Sequence, residues 1–223
     1  MKFNKLLIYF MALALIGFTA CNDDDDAETG SVRVEITDAP VDDAEVESVF
    51  VTVADIRIDG ESLDGFEKTT INLMAYQQGN TKLLTTSDLE AKSYGSMTFI
   101  LDYDERENGT SPGCFLEKTD GTKHKLTSTS SEINILDGFT INEDMQTDLV
   151  VDFDLRKTVK REQGGNDEYD FVAEGHMSTG IRIEDKSKTG VISGSCNDDV
   201  TGSDRIIAYA YHKGDYEMAT ETN

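Results

Sequence analysis

The chain of 223 residues carries 20 Lys and Arg against 44 Asp and Glu, a formal net charge of −24. A surface of that sign repels nucleic acid phosphates and anionic lipid headgroups, which excludes a nucleic acid partner and leaves cation binding or plain solubility. The length suffices for one sizeable core, or for one core with a smaller second unit.

Lys2 and Lys5 precede an apolar run from Leu6 to Phe18, 13 residues in all. A membrane-spanning helix needs roughly 20. A basic start, a short apolar core and small residues before a cleavage point make up a secretory signal peptide, read here over residues 1–20. Thr19-Ala20-Cys21 resembles the end of a lipobox, with Phe18 where leucine is usual. The resemblance implies that Cys21 is lipidated and becomes the mature N-terminus, so that the membrane is a partner through its lipid anchor; stable anchoring takes two or more chains. Asn22 and Asp23 to Asp26 follow, and a block of like charge stays solvated, which makes residues 21–29 an acidic tether. That block is similar to the acidic export signal that carries lipoproteins to the outer face of the outer membrane in some Gram-negative bacteria. The expected location is therefore the cell envelope, on an outer-membrane lipoprotein exposed at the cell surface.

From Ser31 onward the dominant period is two. Val32, Val34 and Ile36 alternate with Arg33 and Glu35; Val49, Val51 and Val53 repeat the pattern; Ile56 and Ile58 resume it one residue out of phase. The slip predicts a β-bulge near Ala54-Asp55. Ile71 and Leu73, then Met97, Phe99, Leu101 and Tyr103, each read as one face of a strand. Thr86 to Lys92 carries a helix-start signal, since Thr and Ser side chains satisfy free amides there. Asp120-Gly121 between Cys114–Thr119 and Thr122–Leu126 predicts a tight hairpin. Ile133 and Ile135, a turn at Asp137-Gly138, the run Leu149 to Leu155, and strands at Asp170–Ala173 and Gly180–Ile183 complete the pattern. Many short strands and few helices predict an all-β fold, an antiparallel β-sandwich over residues 30–185. Past the polar stretch Glu184 to Thr189, the runs Gly190–Gly194 and Ile206–Tyr211 read as two strands of a partial second β-sandwich unit over 186–223. Two strands make no stable domain, so the reading expects the sequence to continue beyond Asn223.

Val32 to Pro40, then Val46 to Val53, resemble the opening of the family named domain of unknown function 4382. Leu89 to Tyr94 is similar to its turn before a central strand, with Glu90 and Lys92 where proline and glycine are usual. Asp120 to Leu126 matches its hairpin and Leu149 to Lys157 its aspartate-phenylalanine-aspartate strand. The resemblance implies an extracytoplasmic β-sandwich lipoprotein. The last 34 residues are similar to the start of a carboxypeptidase regulatory-like, transthyretin-type domain, which implies a structural module.

Asp152 and Asp154 lie two apart on a strand, where paired carboxylates offer oxygen ligands to calcium; accepting amides or pairing with Arg156 and Lys157 is the other reading. Asp102 and Asp104 belong to a second acidic cluster in which Arg106 breaks the calcium-loop pattern. Asp38 before Ala39-Pro40 suits a strand-ending turn. Cys114 and Cys196 are candidates for a disulfide, or Cys114 is a small core side chain. His124, His176 and His212 stand in no metal or hydrolase pattern, and no nucleophile-base pair is legible, so no enzyme is expected. Two classes stay open: a non-catalytic surface module for adhesion, assembly or structure, and a calcium- or glycan-binding module. The partner would be a surface protein or a glycan, and no cofactor is expected beyond calcium in the second case.

Overall fold

In the computed structural model, residues 27–195 are described apart from 40, 42 and 162–168, together with 213–214. The period-two runs become strands. In chain order they are β1 (Thr29–Ala39), β2 (Val46–Ile58), β3 (Glu61–Ser62), β4 (Thr69–Asn72), β5 (Lys82–Glu90), β6 (Ser93–Tyr94), β7 (Met97–Leu101) and β8 (Phe115–Lys118). After these come β9 (Lys123–Lys125), β10 (Glu132–Ile135), β11 (Phe139–Thr140) and β12 (Gln146–Asp154). A single-turn helix α1 (Leu155–Thr158), β13 (Val159–Arg161), β14 (Tyr169–Phe171), a second single turn α2 (Glu174–Met177) and β15 (Ile181–Asp185) close the described order. Short 3-10 turns at Leu73–Ala75 and Lys186–Lys188 add to these.

Two main sheets form. One runs β15-β12-β1-β5 and the other β10-β7-β2-β8-β9, with β3 and β4 also paired to β2. Phe50 of β2 pairs with both Asn72 and Phe115, so β4 and β8 flank opposite edges of that long strand. The fold is all-β and sandwich-like: Val32, Val34 and Ile36 of one sheet join Val49, Val51 and Ile56 of the other in a single apolar cluster. These apolar side chains recur at every second position of β1 and of the first part of β2, as one face of a pleated strand does, while Glu35, Ser48 and Thr52 between them are buried as well. The ladders are antiparallel except between β1 and β12, which run parallel from Ser31↔Gln146 to Ala39↔Asp154. No helix among the described residues is long and apolar enough to cross a membrane.

The bulge expected near Ala54-Asp55 is present as a register shift between Val53 and Asp55 in the β2–β7 ladder. The hairpin at Asp120-Gly121 joins β8 to β9; Gly121 has φ 82°, and Asp120 accepts the Thr122 amide at 2.8 Å. Two local expectations are corrected. Thr86 to Glu90 is not a helix start but the second half of β5, because β1 offers a ladder from Ile36↔Lys82 to Thr29↔Glu90 and buries Thr85 and Ser87. Gly190 to Gly194 forms no strand: it pairs with nothing among the described residues, and Val191 and Ile192 stand 94% and 89% exposed. Its expected partner, 206–211, lies outside the described residues.

Candidate functional site

The four carboxylates singled out for a cation fall into two separate places. Asp152, in β12, faces Arg182 across the β12–β15 ladder, with Oδ2 accepting Nε at 2.9 Å and Nη2 at 2.7 Å. Asp154 ends the same strand and caps α1, accepting the Arg156 amide at 3.1 Å; Arg156 Nε and Lys157 Nζ both approach it at 3.3 Å. Asp102 follows β7. Its Oδ1 accepts the amides of Asp104 and Glu105 at 2.9 Å and its Oδ2 takes Lys68 Nζ at 2.7 Å. Burial raises the Asp102 pKa, but Lys68 and the two amides outweigh it and hold the carboxyl below the usual range. Asp104 pairs with Lys125 Nζ at 2.6 Å. Among the described residues, no group of three or more His, Cys, Asp or Glu side chains is placed to hold a metal ion.

Asp38 is the residue whose environment the sequence did not disclose. Its side chain is buried where β1 ends against α1, Oδ1 accepting the Leu155 amide at 3.4 Å and Oδ2 the Gln77 side chain at 3.2 Å. Burial, with repulsion from Asp152 and Asp154 added, pushes its pKa up to about 8 against the pull of those two donors. Asp38 is therefore protonated at neutral pH, a stored proton at the parallel seam of the sheet.

Cys114 is a free, fully buried thiol just before β8, accepting the Thr52 amide at 3.3 Å and donating to the Asp102 carbonyl at 3.4 Å. Burial pushes it up to about 12, so it behaves as a small core side chain and not as a nucleophile. Cys21, Cys196, His212 and Tyr209 and Tyr211 lie outside the described residues. His176 is exposed on α2. His124 packs edge-on against Tyr169 with ring centroids 5.4 Å apart.

A cavity of about 180 Å³ opens where α1, β13 and β14 fold over the start of β2 and the middle of β8. Its inner lining is aliphatic: Val46, Val49, Leu116 and Leu155 are all buried. Its mouth carries Arg156, Lys160, Arg161 and Asp43 beside Tyr169. Tyr169 donates to Asp43 Oδ2 at 2.7 Å, and burial together with that carboxylate pushes the phenol up to about 12. Arg161 spans the opening, its guanidinium 5.6 Å from the Tyr169 ring centre, 3.8 Å from Asp43 and 3.5 Å from Glu45. The lining comes from residues between 41 and 169, a separation that no local motif announces.

The family model described as domain of unknown function DUF4382 matches residues 29–173. The chain belongs to this family. No curated protein and no solved structure matches it. The DUF4382 match begins at the first residue of β1 and takes in the seam with Asp38 and the whole lining of the cavity. It stops short of α2 and β15, although Met177, Ile181 and Ile183 of those elements sit in the same apolar cluster as the rest of the DUF4382 domain.

Proposed function

We propose that this protein is a non-catalytic lipoprotein of the cell envelope, a β-sandwich module for adhesion, assembly or structure, held at the outer membrane by lipid on Cys21. The observation that carries this reading is the distance along the chain between that cysteine and the fold. β1 begins at Thr29, with Asp23 to Asp26 between, so an extended tether spans at most about 28 Å. A domain so close to a lipid surface profits from a charged spacer, and the net charge of −24 keeps it off anionic headgroups. In the organism, the native chain should incorporate an alkyne fatty acid and lose its label as Cys21→Ser. It should also be digested by protease added to intact cells. Labelling of the mutant equal to that of the parent would overturn the lipid assignment, and protection in intact cells would overturn surface exposure.

A second reading, a ligand-binding module of the same lipoprotein, is favoured by the cavity under α1, β13 and β14. For glycan or calcium as the ligand, calorimetry with calcium and a glycan array on the full chain separate it from the first.

A further inference from the structure

We propose that Asn108 is a self-modifying residue: the backbone nitrogen of Gly109 closes on its side-chain carbonyl carbon and converts it to a mixture of aspartate and isoaspartate. Asn108 is the only asparagine in the sequence that a glycine follows. Ring closure swings the side chain against the backbone nitrogen of the next residue, where a Cβ stands in the way; glycine has none and turns freely. Asn80 and Asn134 are exposed as well, but the β-branched Thr81 and Ile135 follow them and crowd that nitrogen.

The fold adds to what the pair of residues offers. Asn108, Gly109 and Thr110 are all exposed in the loop between β7 and β8, and a Cβ built on Gly109 meets nothing within 4 Å, so the ring has space and water has access. Asn108 Oδ1 accepts the Thr110 amide at 3.0 Å and the Thr110 hydroxyl at 2.6 Å. Negative charge develops on that oxygen as the nitrogen attacks, and two donors already aimed at it stabilise the charge as an oxyanion hole does. The turn keeps the reacting groups together, since the Arg106 amide donates to the Thr110 carbonyl at 2.9 Å and the Gly109 amide to the Arg106 carbonyl at 3.0 Å. The second of these bonds occupies the attacking nitrogen and has to open first; at an exposed loop tip such opening is easy. The Gly109 nitrogen then loses its proton to a solvent base and bonds to Asn108 Cγ, the Cγ–Nδ2 bond breaks, and ammonia leaves. Water opens the five-membered imide at either carbonyl, so one water is consumed, one ammonia is released and the loop gains a negative charge.

The test incubates the full, folded chain at pH 7 and at pH 9 and follows the peptide that holds Asn108 by its mass and by enzymatic methyl transfer to isoaspartate. Asn108 should convert before any other asparagine, faster at pH 9, and its peptide should accept methyl groups. Thr110→Val, on an exposed side chain, should slow the conversion about threefold with an unchanged melting temperature, and Thr110→Ser should restore the rate. The proposal is overturned by another asparagine converting first, by a product that is aspartate alone, or by Thr110→Val reacting at the parent's rate.

Discussion

Two acidic residues three apart on β1 respond to pH in opposite directions. Glu35 is nearly buried on the outer face of its sheet; burial raises its pKa, but bonds from Lys186, Thr81 and Arg33 outweigh this and hold it below the ordinary value. A depressed carboxylate contributes stability that is present above its unfolded pKa and lost as pH falls through the folded one. Asp38 does the reverse. Its folded pKa of about 8 lies above the ordinary 3.8, so the native state keeps a proton that the unfolded chain has released. Between those two values stability falls as pH rises, by about 1.4 kcal/mol per pH unit at most. Asp38→Asn removes that ionisation and retains an acceptor for the Leu155 amide. Its melting temperature at pH 8 should exceed the parent's by about 3 °C or more, with the difference vanishing near pH 4. A parent whose melting temperature is as flat as the mutant's from pH 5 to pH 8 would show that Asp38 is ionised in the fold. None of this was legible from Asp38-Ala39-Pro40, which reads as a turn, because the burial comes from α1 and from Gln77, far along the chain.

At the scale of elements, the strands with a clear alternation of apolar and polar residues were legible, and so was the Val53/Asp55 slip. β5 was not. Its Thr86-Ser87-Asp88 segment carries a helix-start signal that is purely local, while its fate is set by the free edge of β1. The same holds for Asp152, whose partner Arg182 arrives thirty residues later on β15. The loop between β7 and β8 is a further case of long-range fit. Thr52 donates its hydroxyl to the Gly113 carbonyl at 2.7 Å, and this draws the loop against β2. A Cβ on Gly113 would stand 2.1 Å from the Asp102 carbonyl oxygen and 2.9 Å from Glu105 backbone atoms. Gly113→Ala should cost about 1–3 kcal/mol or more. Gly175→Ala, in α2 with nothing within 4 Å, serves as the control and should leave the unfolding free energy from urea titration within about 0.5 kcal/mol of the parent's. Equal midpoints for the two variants would mean that the Gly113 loop yields freely and is no part of the packed structure.

For the whole molecule, the question is where the cooperative unit ends. The family match stops at 173, yet β15 supplies the outer neighbour of β12 from Leu149↔Asp185 to Phe153↔Ile181. Met177, Ile181 and Ile183 are buried with it, at roughly 1.5–3 kcal/mol each, so about 5–9 kcal/mol of apolar burial depends on residues beyond the match. That is comparable with the 5–15 kcal/mol by which whole domains are stable, at order-of-magnitude precision. Polar links add to it: the Asp154 amide donates to the Gly180 carbonyl at 2.8 Å, and Lys186 reaches back to Glu35 on β1. Past Lys188 the pattern changes, because Val191 and Ile192 lie in solvent and contribute nothing to this core. A chain of residues 27–189 should therefore melt cooperatively, within about 2 °C of a chain of residues 27–195. A chain of residues 27–173 exposes the β12 edge and the Phe153 side of the core, and it should lose its sharp transition or aggregate. Should the 27–173 chain melt as sharply and as high as the 27–189 chain, β15 would be an appendage and the burial of Ile181 and Ile183 would count for nothing in stability.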